Sequence, residues 1–352
     1  MPYQDQINIE AFLSYAIRQE ASDIHISEWD YVAFRVHWHL WKLKQPWILT
    51  REIVEKLTHQ LYRGDTDKVS QFFEKKDSDF AYVSQDGTPF RVNWYHKLGR
   101  IGFVLRKIER NAKNMDSLWL PPWLAKVLPA KQGLFLITWP TWSWKSTTMV
   151  SILDKINETR WEHVITIEDP IEFIFEDKNC IFSQREVWRD TATFVSAIRA
   201  AMREDPDIVM VWEMRDKETV EAAINLAETW HLVFSTLHTS WSVETISRVV
   251  QFFSPDIQSQ VRIRLADSLL WVLSQRLLPR AEWKWRVAIH ELMYVTSGIK
   301  NLIKSWDLVQ INNNIEMWSQ EGMISMKRSA ENLKEQWIVK EEDYIWYFTN
   351  DD

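Results

Sequence analysis

The chain has 352 residues, of which 46% are apolar and 26% are charged, so it is long enough for two domains with sizeable cores. A net charge of −7 argues against a general nucleic-acid-binding protein. The single cysteine, Cys180, excludes an intramolecular disulfide and favours a reducing compartment. No apolar run reaches the length of about 18 residues that a transmembrane helix needs. The first residues also lack the basic start and apolar core of a secretory signal.

The first 110 residues predict an α+β domain. Apolar residues recur with helical spacing over 6–20 and 51–62, and alternation predicts strands over 22–27, 31–37 and 102–108. A hairpin is predicted over 80–95, with its turn at Asp86-Gly87. Residues 111–121 are polar, end beside Pro122 and are interpreted as a linker. His37 and His39 lie two apart on a predicted strand and are interpreted as surface residues, because no third metal ligand is near.

Residues 122–352 predict a second domain of the α/β class. Strand-like runs at 134–138, 164–167, 208–211 and 232–237 alternate with helical runs at 147–158, 192–204 and 217–228. This alternation predicts a parallel sheet covered by helices on both faces. A long amphipathic helix is predicted over 256–278 and a strand over 286–294. The last 50 residues are predicted to be mainly helical, with a polar break at 312–314, and Cys180 is interpreted as a packed small side chain.

A candidate phosphate-binding loop follows the first of these strands. The pattern G-x-x-x-x-G-K-[ST] is represented here by Trp139-x-x-x-x-Trp144-Lys145-Ser146, between a strand and a helix. In such a loop, backbone N–H groups and the lysine hold the phosphates of ATP, and the serine binds Mg²⁺. Lys-Ser-Thr alone occurs by chance in helices, but the strand before it and the helix after it favour the loop. The predicted nucleotide-binding residues are Trp139, Pro140, Thr141, Trp142, Ser143, Trp144, Lys145, Ser146 and Thr147.

The loop lacks the glycines that its pattern requires. The whole chain has 7 glycines and 22 tryptophans, although average glycine usage of about 7% would give roughly 25 in this length. Tryptophan also stands in turn-like segments, at Trp29, Trp230, Trp283, Trp285 and Trp306. We hypothesise that most of these positions are built for glycine and that the sequence is an altered form of a glycine-bearing parent. The alternative is a naturally tryptophan-rich protein.

The tryptophans in the loop lead to an expectation about ATP. A left-handed backbone costs a non-glycine residue about 1–2 kcal/mol, and three indoles at 139, 142 and 144 would crowd the space for the phosphates. The chain is therefore predicted not to bind ATP measurably.

Three further segments carry acids or histidines at strand ends. Glu168 ends the strand of segment 165–172, Glu213 follows the strand of segment 207–216, and His231 and His238 flank the strand of segment 231–239. Taken singly, these could be a solvated strand end, a chance acidic turn and two structural histidines. Their order after a phosphate loop favours functional roles. The acids of the first segment would polarise a water or hold a metal, and those of the second would bind Mg²⁺.

Together these motifs resemble the secretion ATPases of type II secretion and type IV pili. Segment 165–172 resembles that family's Asp box, 208–216 its Walker B motif and 231–239 its His box, and segment 298–304 resembles a motif of the pilus-retraction branch. The resemblance implies a PAS-like N-terminal domain, a RecA-like ATPase domain and a homohexamer on the cytoplasmic face of the inner membrane. It also implies that ATP hydrolysis drives pilus retraction through an inner-membrane platform protein.

The resemblance also implies roles for individual residues. Lys145 and Ser146 would bind phosphate and Mg²⁺, Glu168 would activate the attacking water, and Glu213 would bind the metal. His231 and His238 would lie near the phosphates, and arginines of the N-terminal domain would reach a neighbouring subunit's nucleotide, with Arg91, Arg100 and Arg106 as candidates. The departures fall on the family's glycine positions, namely Trp139, Trp142, Trp144, Trp188, Trp212 and Trp230.

Two alternatives stay open. A pilus-extension or secretion ATPase is one, although such relatives usually carry a longer N-terminal region and often a four-cysteine zinc site. A non-catalytic ring subunit is the other, although ordinary loss of function would also scatter changes over the lysine, acids and histidines.

Overall fold

The computed structural model of the chain describes residues 7–36, 39–43, 48–66, 69–70, 77–110, 112, 115–118, 120–126, 128–138, 145–187, 189–282, 286–317 and 322–350. Contacts divide the chain into two compact units, Met1–Glu109 and Arg110–Asp352. Within the described ranges, no helix combines the length and the apolar character needed to cross a bilayer.

The N-terminal unit is built on a six-stranded antiparallel sheet, against which helices pack. Its elements are α1 (Ile9–Arg18), β1 (Asp23–Ser27), β2 (Ala33–Val36), β3 (His39–Lys42), α2 (Arg51–Leu61), β4 (Asp77–Val83), β5 (Pro89–Lys97) and β6 (Arg100–Lys107). The strand order is β3-β2-β1-β6-β5-β4. The apolar stripe of each helix packs into one core with the sheet, where Leu13, Leu57 and Phe103 are fully buried. His39 starts β3 on an exposed strand, and His37 lies outside the described residues.

The C-terminal unit is built on a seven-stranded sheet. Its elements, after two short 3₁₀ turns, are β7 (Gly133–Thr138), α3 (Lys145–Thr159), β8 (His163–Glu168), β9 (Ile181–Glu186), α4 (Phe194–Ala201), β10 (Ile208–Val211), α5 (Lys217–Glu228), β11 (Leu232–Leu237), α6 (Ser242–Gln251), α7 (Gln258–Ser268), β12 (Leu269–Pro279), β13 (Arg286–Tyr294), α8 (Ser297–Ser305), α9 (Leu308–Met317), α10 (Met326–Glu335) and α11 (Glu341–Asn350).

The prediction of a parallel sheet covered on both faces is confirmed. The strand order is β13-β12-β7-β11-β10-β8-β9, and every neighbouring pair is parallel except β12 with β13. Alternate residues of one strand enter two different cores. Val209 packs in a core with residues of α4 to α9, whereas Met210 packs in a core with residues of α3. The central strands are buried on both sides, which explains their continuous apolar runs.

Two of the predicted features are wrong. The long helix over 256–278 is instead helix α7 followed directly by strand β12. The apolar run from Leu269 has the composition of a strand buried on both faces, which helical periodicity does not distinguish from a buried helix. The polar break at 312–314 lies inside α9, where Ile311 and Ile315 are buried four residues apart and the asparagines between them occupy the rest of the helix surface.

Backbone conformation tests the hypothesis about tryptophan. Trp29, Trp230 and Trp306 have φ angles of 60°, 69° and 64°, in the left-handed region that glycine favours. The part of the hypothesis that concerns conformation, a backbone suited to glycine, is confirmed at these three positions, and Trp337 joins them with a φ of 60°. Trp212 is different, because it has a negative φ and its side chain is buried. Trp139, Trp142, Trp144, Trp188, Trp283 and Trp285 lie outside the described residues.

Candidate active site

The predicted motifs meet at the carboxyl edge of the C-terminal sheet. Strand β7 pairs in parallel with β11, which places Thr138 beside Leu237, and β8 pairs with β10, which places Ile167 beside Val211. The residues that follow these strand ends therefore share one edge. This is the edge at which open α/β sheets bind their ligands.

The strand and helix that frame the predicted phosphate loop are both present. Strand β7 ends at Thr138 and helix α3 begins at Lys145. The loop between them, residues 139–144, and the side chains of Lys145 and Ser146 are outside the described part of the chain. Thr147, in the first turn of α3, is half-buried. The start of α3 faces the carboxyl edge, where a helix N-terminus favours an anionic ligand.

A buried hydrogen-bond network holds the end of β7 and the start of α3 in place. The hydroxyl of Thr138 donates to Ser274 Oγ at 3.0 Å, which joins the end of β7 to β12. The hydroxyl of Thr245 on α6 lies 3.5 Å from Thr138 Oγ1, and Thr148 on α3 donates to Gln275 Oε1 at 2.7 Å. Because these groups are buried and paired, a shift of β7 or α3 would break hydrogen bonds that water cannot replace.

Glu168 ends β8 and is only 1% exposed. Its Oε1 accepts hydrogen bonds from Thr166 Oγ1 at 2.7 Å and from Gln184 Nε2 at 3.2 Å, and its Oε2 accepts from the Glu172 N–H at 3.3 Å. Burial raises the pKa of Glu168 from 4.5 to about 7, although these hydrogen bonds oppose the rise. A carboxyl group that titrates near neutral pH is suited to accept a proton from water.

Glu213 lies beyond β10 in a different environment. Arg215 Nε donates to Glu213 Oε2 at 2.8 Å, and His238 Nε2 lies 3.1 Å from Glu213 Oε1. Each carboxylate oxygen therefore has a basic partner. A pocket of about 400 Å³ opens beside this group, and Glu244 and Arg248 also line it. The carboxylate is thus held at the rim of an open, polar pocket.

The two predicted histidines do not lie together. His238 follows β11 at the carboxyl edge, whereas His231 precedes β11, and its carbonyl accepts from the N–H of Gly133 at the start of β7. At about 3.3 Å per residue, the seven steps between the two histidines span roughly 23 Å. The His231 ring instead contacts the end of α5, with Nδ1 3.2 Å from the Leu226 carbonyl. The prediction that His231 lies near the phosphates is therefore wrong within one chain.

Comparison with known proteins identifies the family. The sequence model of the family described as "Type II/IV secretion system protein" matches residues 5–314. The chain belongs to this family. It is 38% identical, over 96% of its length and 97% of the relative, to the type IV pilus retraction ATPase PilT of Pseudomonas aeruginosa. It is 35% identical to a twitching motility protein of Neisseria gonorrhoeae, over 88% of this chain and 82% of that one.

A solved structure agrees with these sequence relatives. The crystal structure of the pilus retraction motor PilT with bound ADP superposes with a TM-score of 0.89, at 38% identity and 96% coverage of both chains. This family member therefore has the α/β fold of that motor, including its mixed sheets and helices.

The donor groups at the edge fit Mg²⁺ brought by a nucleotide. Among the residues that the structure describes, no group of three or more His, Cys, Asp or Glu side chains is placed to hold a metal ion. Mg²⁺ in ATPases is usually held by one or two protein oxygens together with phosphate and water. Glu213 can supply one such oxygen, provided that Arg215 or His238 releases it.

The predicted arginines of the N-terminal unit form one pair and one separate residue. Arg91 on β5 lies directly opposite Arg106 on β6, and Arg106 lies opposite Asp23 on β1. Arg106 Nε donates to Asp23 Oδ1 at 2.7 Å, although the arginine side chain stays 67% exposed. Arg100 starts β6 six residues earlier, which places it roughly 20 Å from Arg106 along the strand. Arg91 and Arg106 are therefore neighbours that can contact one ligand, and Arg100 lies at the other end of the strand.

Several site residues were not predicted from the sequence. Thr166 and Gln184 hold the carboxylate of Glu168, and Arg215 holds that of Glu213. Thr166 precedes Glu168 by two residues on one strand, so the two side chains lie on the same side of the sheet. Their contact could therefore have been predicted from the sequence. Gln184 lies opposite Thr166 because β8 pairs with β9. No local sequence pattern predicts that pairing.

Proposed function

We propose that the protein is an ATPase motor that powers retraction of a type IV pilus. The observation that carries this proposal is likeness over nearly the whole chain to PilT, in sequence and in structure. The acid at the end of β8 and the acid beyond β10 support it, because water activation and metal binding need two carboxylates with different environments.

The chemistry assigned to the residues follows from these environments. Glu168 would accept a proton from the water that attacks the terminal phosphate of ATP. Glu213 and Ser146 would hold Mg²⁺, which neutralises phosphate charge when it is bound. Lys145 and the loop N–H groups would bind the phosphates, and His238 would stay beside Glu213 to contact the phosphate end of the nucleotide.

The proposed assembly is a homohexameric ring. Residues 1–110 would be a PAS-like domain, 111–121 a linker and 122–352 a RecA-like ATPase domain. Arg91 and Arg106 would reach the nucleotide of a neighbouring subunit, since they share one exposed side of the sheet. The ring would sit at the cytoplasmic face of the inner membrane and push on a platform protein of the pilus machinery.

ATP turnover tests the enzymatic part of the proposal. The decisive variant carries Trp139→Gly, Trp142→Gly and Trp144→Gly and is called the glycine-loop variant. We expect it to bind and hydrolyse ATP with Mg²⁺, whereas the chain with tryptophan should show no binding by calorimetry. Absence of turnover in the glycine-loop variant, despite a folded hexamer, would favour a non-catalytic ring subunit. Micromolar ATP binding by the tryptophan chain would overturn the predicted defect.

The direction of pilus movement needs a cellular test. Deleting the gene in its own bacterium should leave cells with many pili and no twitching motility if the protein retracts pili. Cells without surface pili would instead indicate an extension ATPase, which is the second candidate.

A further inference from the structure

Four tryptophans have a backbone conformation that their side chain disfavours. They are Trp29, Trp230, Trp306 and Trp337, with φ between 60° and 69°. Among the described residues, eight non-glycine residues have a positive φ, and these tryptophans are half of them. Positive φ is uncommon for any residue with a Cβ, and a bulky residue there is an outlier.

Two of the four end a helix by a motif that selects glycine. After α8, the N–H of Trp306 donates to the Ile303 carbonyl at 3.2 Å and that of Asp307 to Leu302 at 2.9 Å. After α10, the N–H of Trp337 donates to Lys334 at 2.9 Å and the next N–H to Leu333 at 2.9 Å. This pair of bonds is the Schellman motif, whose left-handed residue is usually glycine.

The other two lie at a helix end and in a tight turn, where a left-handed residue is also usually glycine. Trp230 follows the last residues of α5 and precedes β11, where a left-handed residue commonly ends the helix. Trp29 is the third residue of a tight turn in which the N–H of Asp30 donates to the Ser27 carbonyl at 3.2 Å. A positive φ at that position of a turn calls for glycine.

The indoles gain little that would offset the strained backbone. The side chains of Trp29, Trp230 and Trp337 are 57%, 83% and 88% exposed. Trp306 is half-buried, with the guanidinium of Arg262 5.2 Å from its ring centre. A strained backbone conformation normally persists where packing around the residue holds it in place. Three of these four side chains are instead largely exposed to solvent.

We propose that the cells that make this protein insert glycine at residues 29, 230, 306 and 337, and that the codon at each position is UGA. UGA is a codon whose meaning differs between genetic codes, and it can specify termination, tryptophan or glycine. UGG specifies tryptophan, and the GGN codons specify glycine, in each of these codes. A gene whose UGA codons mean glycine would show tryptophan at a subset of glycine positions when UGA is read as tryptophan.

This origin explains why the substitution is one-sided. Random change would also alter the lysine, acids and histidines of the motifs, yet Lys145, Glu168, Glu213 and His238 are all present. The glycines that remain, such as Gly87 and Gly322 with φ of 85° and 110°, would be encoded by GGN. The inference rests on backbone conformation and composition, so it holds whether or not the protein retracts pili.

The same decoding would complete the phosphate loop. Glycine at 139 and 144 turns segment 139–146 into G-x-x-x-x-G-K-S, the pattern that cradles phosphates. The protein made in its own cells would then bind ATP without any engineered change.

Gene sequence and peptide mass test the inference together. We expect UGA at codons 29, 230, 306 and 337, and glycine masses for the corresponding peptides of the protein purified from its own cells. Peptides that contain Gly87 and Gly322 serve as the reference, since their glycine is encoded by GGN. UGG at the four codons would overturn the proposal. Tryptophan masses at those positions would overturn it as well, whichever codon is found.

Discussion

The carboxyl edge of the sheet and the turns at the helix ends differ in how well their residues suit their positions. At the edge, function depends on side chains, and Glu168, Glu213 and His238 are present with hydrogen-bonding partners. At the turns after α5, α8 and α10, function depends on backbone conformation, and tryptophan stands where glycine fits. Side-chain chemistry and backbone conformation are therefore separate requirements, and this sequence meets only the first.

The edge itself contains a second contrast. Glu168 is enclosed and bonded to neutral donors, whereas Glu213 lies at a pocket rim between two basic side chains. Burial raises the pKa of Glu168 and so favours its neutral form. One edge thereby presents two carboxyl groups in different surroundings, as the proposed division between proton acceptor and metal ligand requires.

Removing the carboxyl group of Glu168 should have the largest effect on turnover. In the glycine-loop variant, Glu168→Gln should lower kcat by about 10²–10⁴, the usual contribution of a positioned base. ATP binding should persist, because the amide keeps the size of the side chain. Steady-state hydrolysis and calorimetry with ATP measure the two effects.

A neighbouring acid provides the control for this change. Glu172 donates its backbone N–H to Glu168, and its charge adds a smaller contribution to the raised pKa of Glu168. Glu172→Gln should therefore leave that hydrogen bond and most of the turnover intact. Equal losses in both variants would show that charge in the segment matters, and not the position of Glu168.

Changing Glu213 should alter the metal requirement. Glu213→Gln should raise the Mg²⁺ concentration for half-maximal turnover by about tenfold or more, since changing even a residue that orients a metal ligand costs about 10–100-fold in affinity. Titrating Mg²⁺ at saturating ATP measures this shift. Glu244→Gln removes another carboxylate from the same pocket and should leave the Mg²⁺ requirement unchanged. A shift of similar size there would mean that pocket charge, and not Glu213, holds the metal.

The architecture of the C-terminal unit could be predicted because its local patterns agree with its tertiary structure. Apolar strands alternate with amphipathic helices, so β7, β8, β10 and β11 were assigned from sequence. β12 was missed because a strand buried on both faces has no period-two signal. β9 was not predicted because it carries polar residues such as Gln184. In the N-terminal unit, β3 was not predicted because it is an exposed edge strand.

The site could be predicted only in part, for a geometric reason. Residues that follow parallel strands must share an edge, which made Glu168, Glu213 and His238 predictable. The same rule excludes His231, which precedes its strand, and the sequence interpretation overlooked strand direction there. The pairing of Glu213 with Arg215 depends on the conformation of an irregular segment that has no sequence signature.

The pKa of Glu168 predicts a pH dependence. Because burial raises this pKa to about 7, the group is mostly protonated at pH 6 and cannot accept a proton. In the glycine-loop variant, kcat/KM should therefore rise about tenfold between pH 6 and pH 8, since each pH unit below the pKa removes most of the base form. A flat profile over this range would show that Glu168 is already ionised at pH 6.

Stability should change with pH in the opposite direction. A carboxyl group with a raised folded-state pKa favours the folded protein below pH 4.5, and this contribution is lost as pH rises through about 7. Urea unfolding at pH 8 should therefore show Glu168→Gln to be more stable than its parent by up to about 3 kcal/mol. The difference should shrink toward pH 5, where both side chains are neutral in the folded state.

The smallest predicted effect is a change in stability that distinguishes a tryptophan with a left-handed backbone from one inside a helix. Trp337 ends α10 with a left-handed backbone, whereas Trp346 lies inside α11, and both indoles are largely exposed. Trp337→Gly should stabilise the protein by about 1 kcal/mol, because glycine removes the cost of the left-handed conformation. Trp346→Gly should destabilise it by a few tenths to about 1 kcal/mol, because glycine weakens a helix interior.

The opposite signs make this pair informative. Loss of an exposed indole is common to both variants, so any general effect of removing tryptophan cancels between them. Thermal or urea unfolding of the two variants beside the parent measures the difference. If both substitutions destabilise the protein, the indole of Trp337 contributes more than its backbone costs. The left-handed turns would then accommodate tryptophan, and the contrast between the sheet edge and the helix ends would fail.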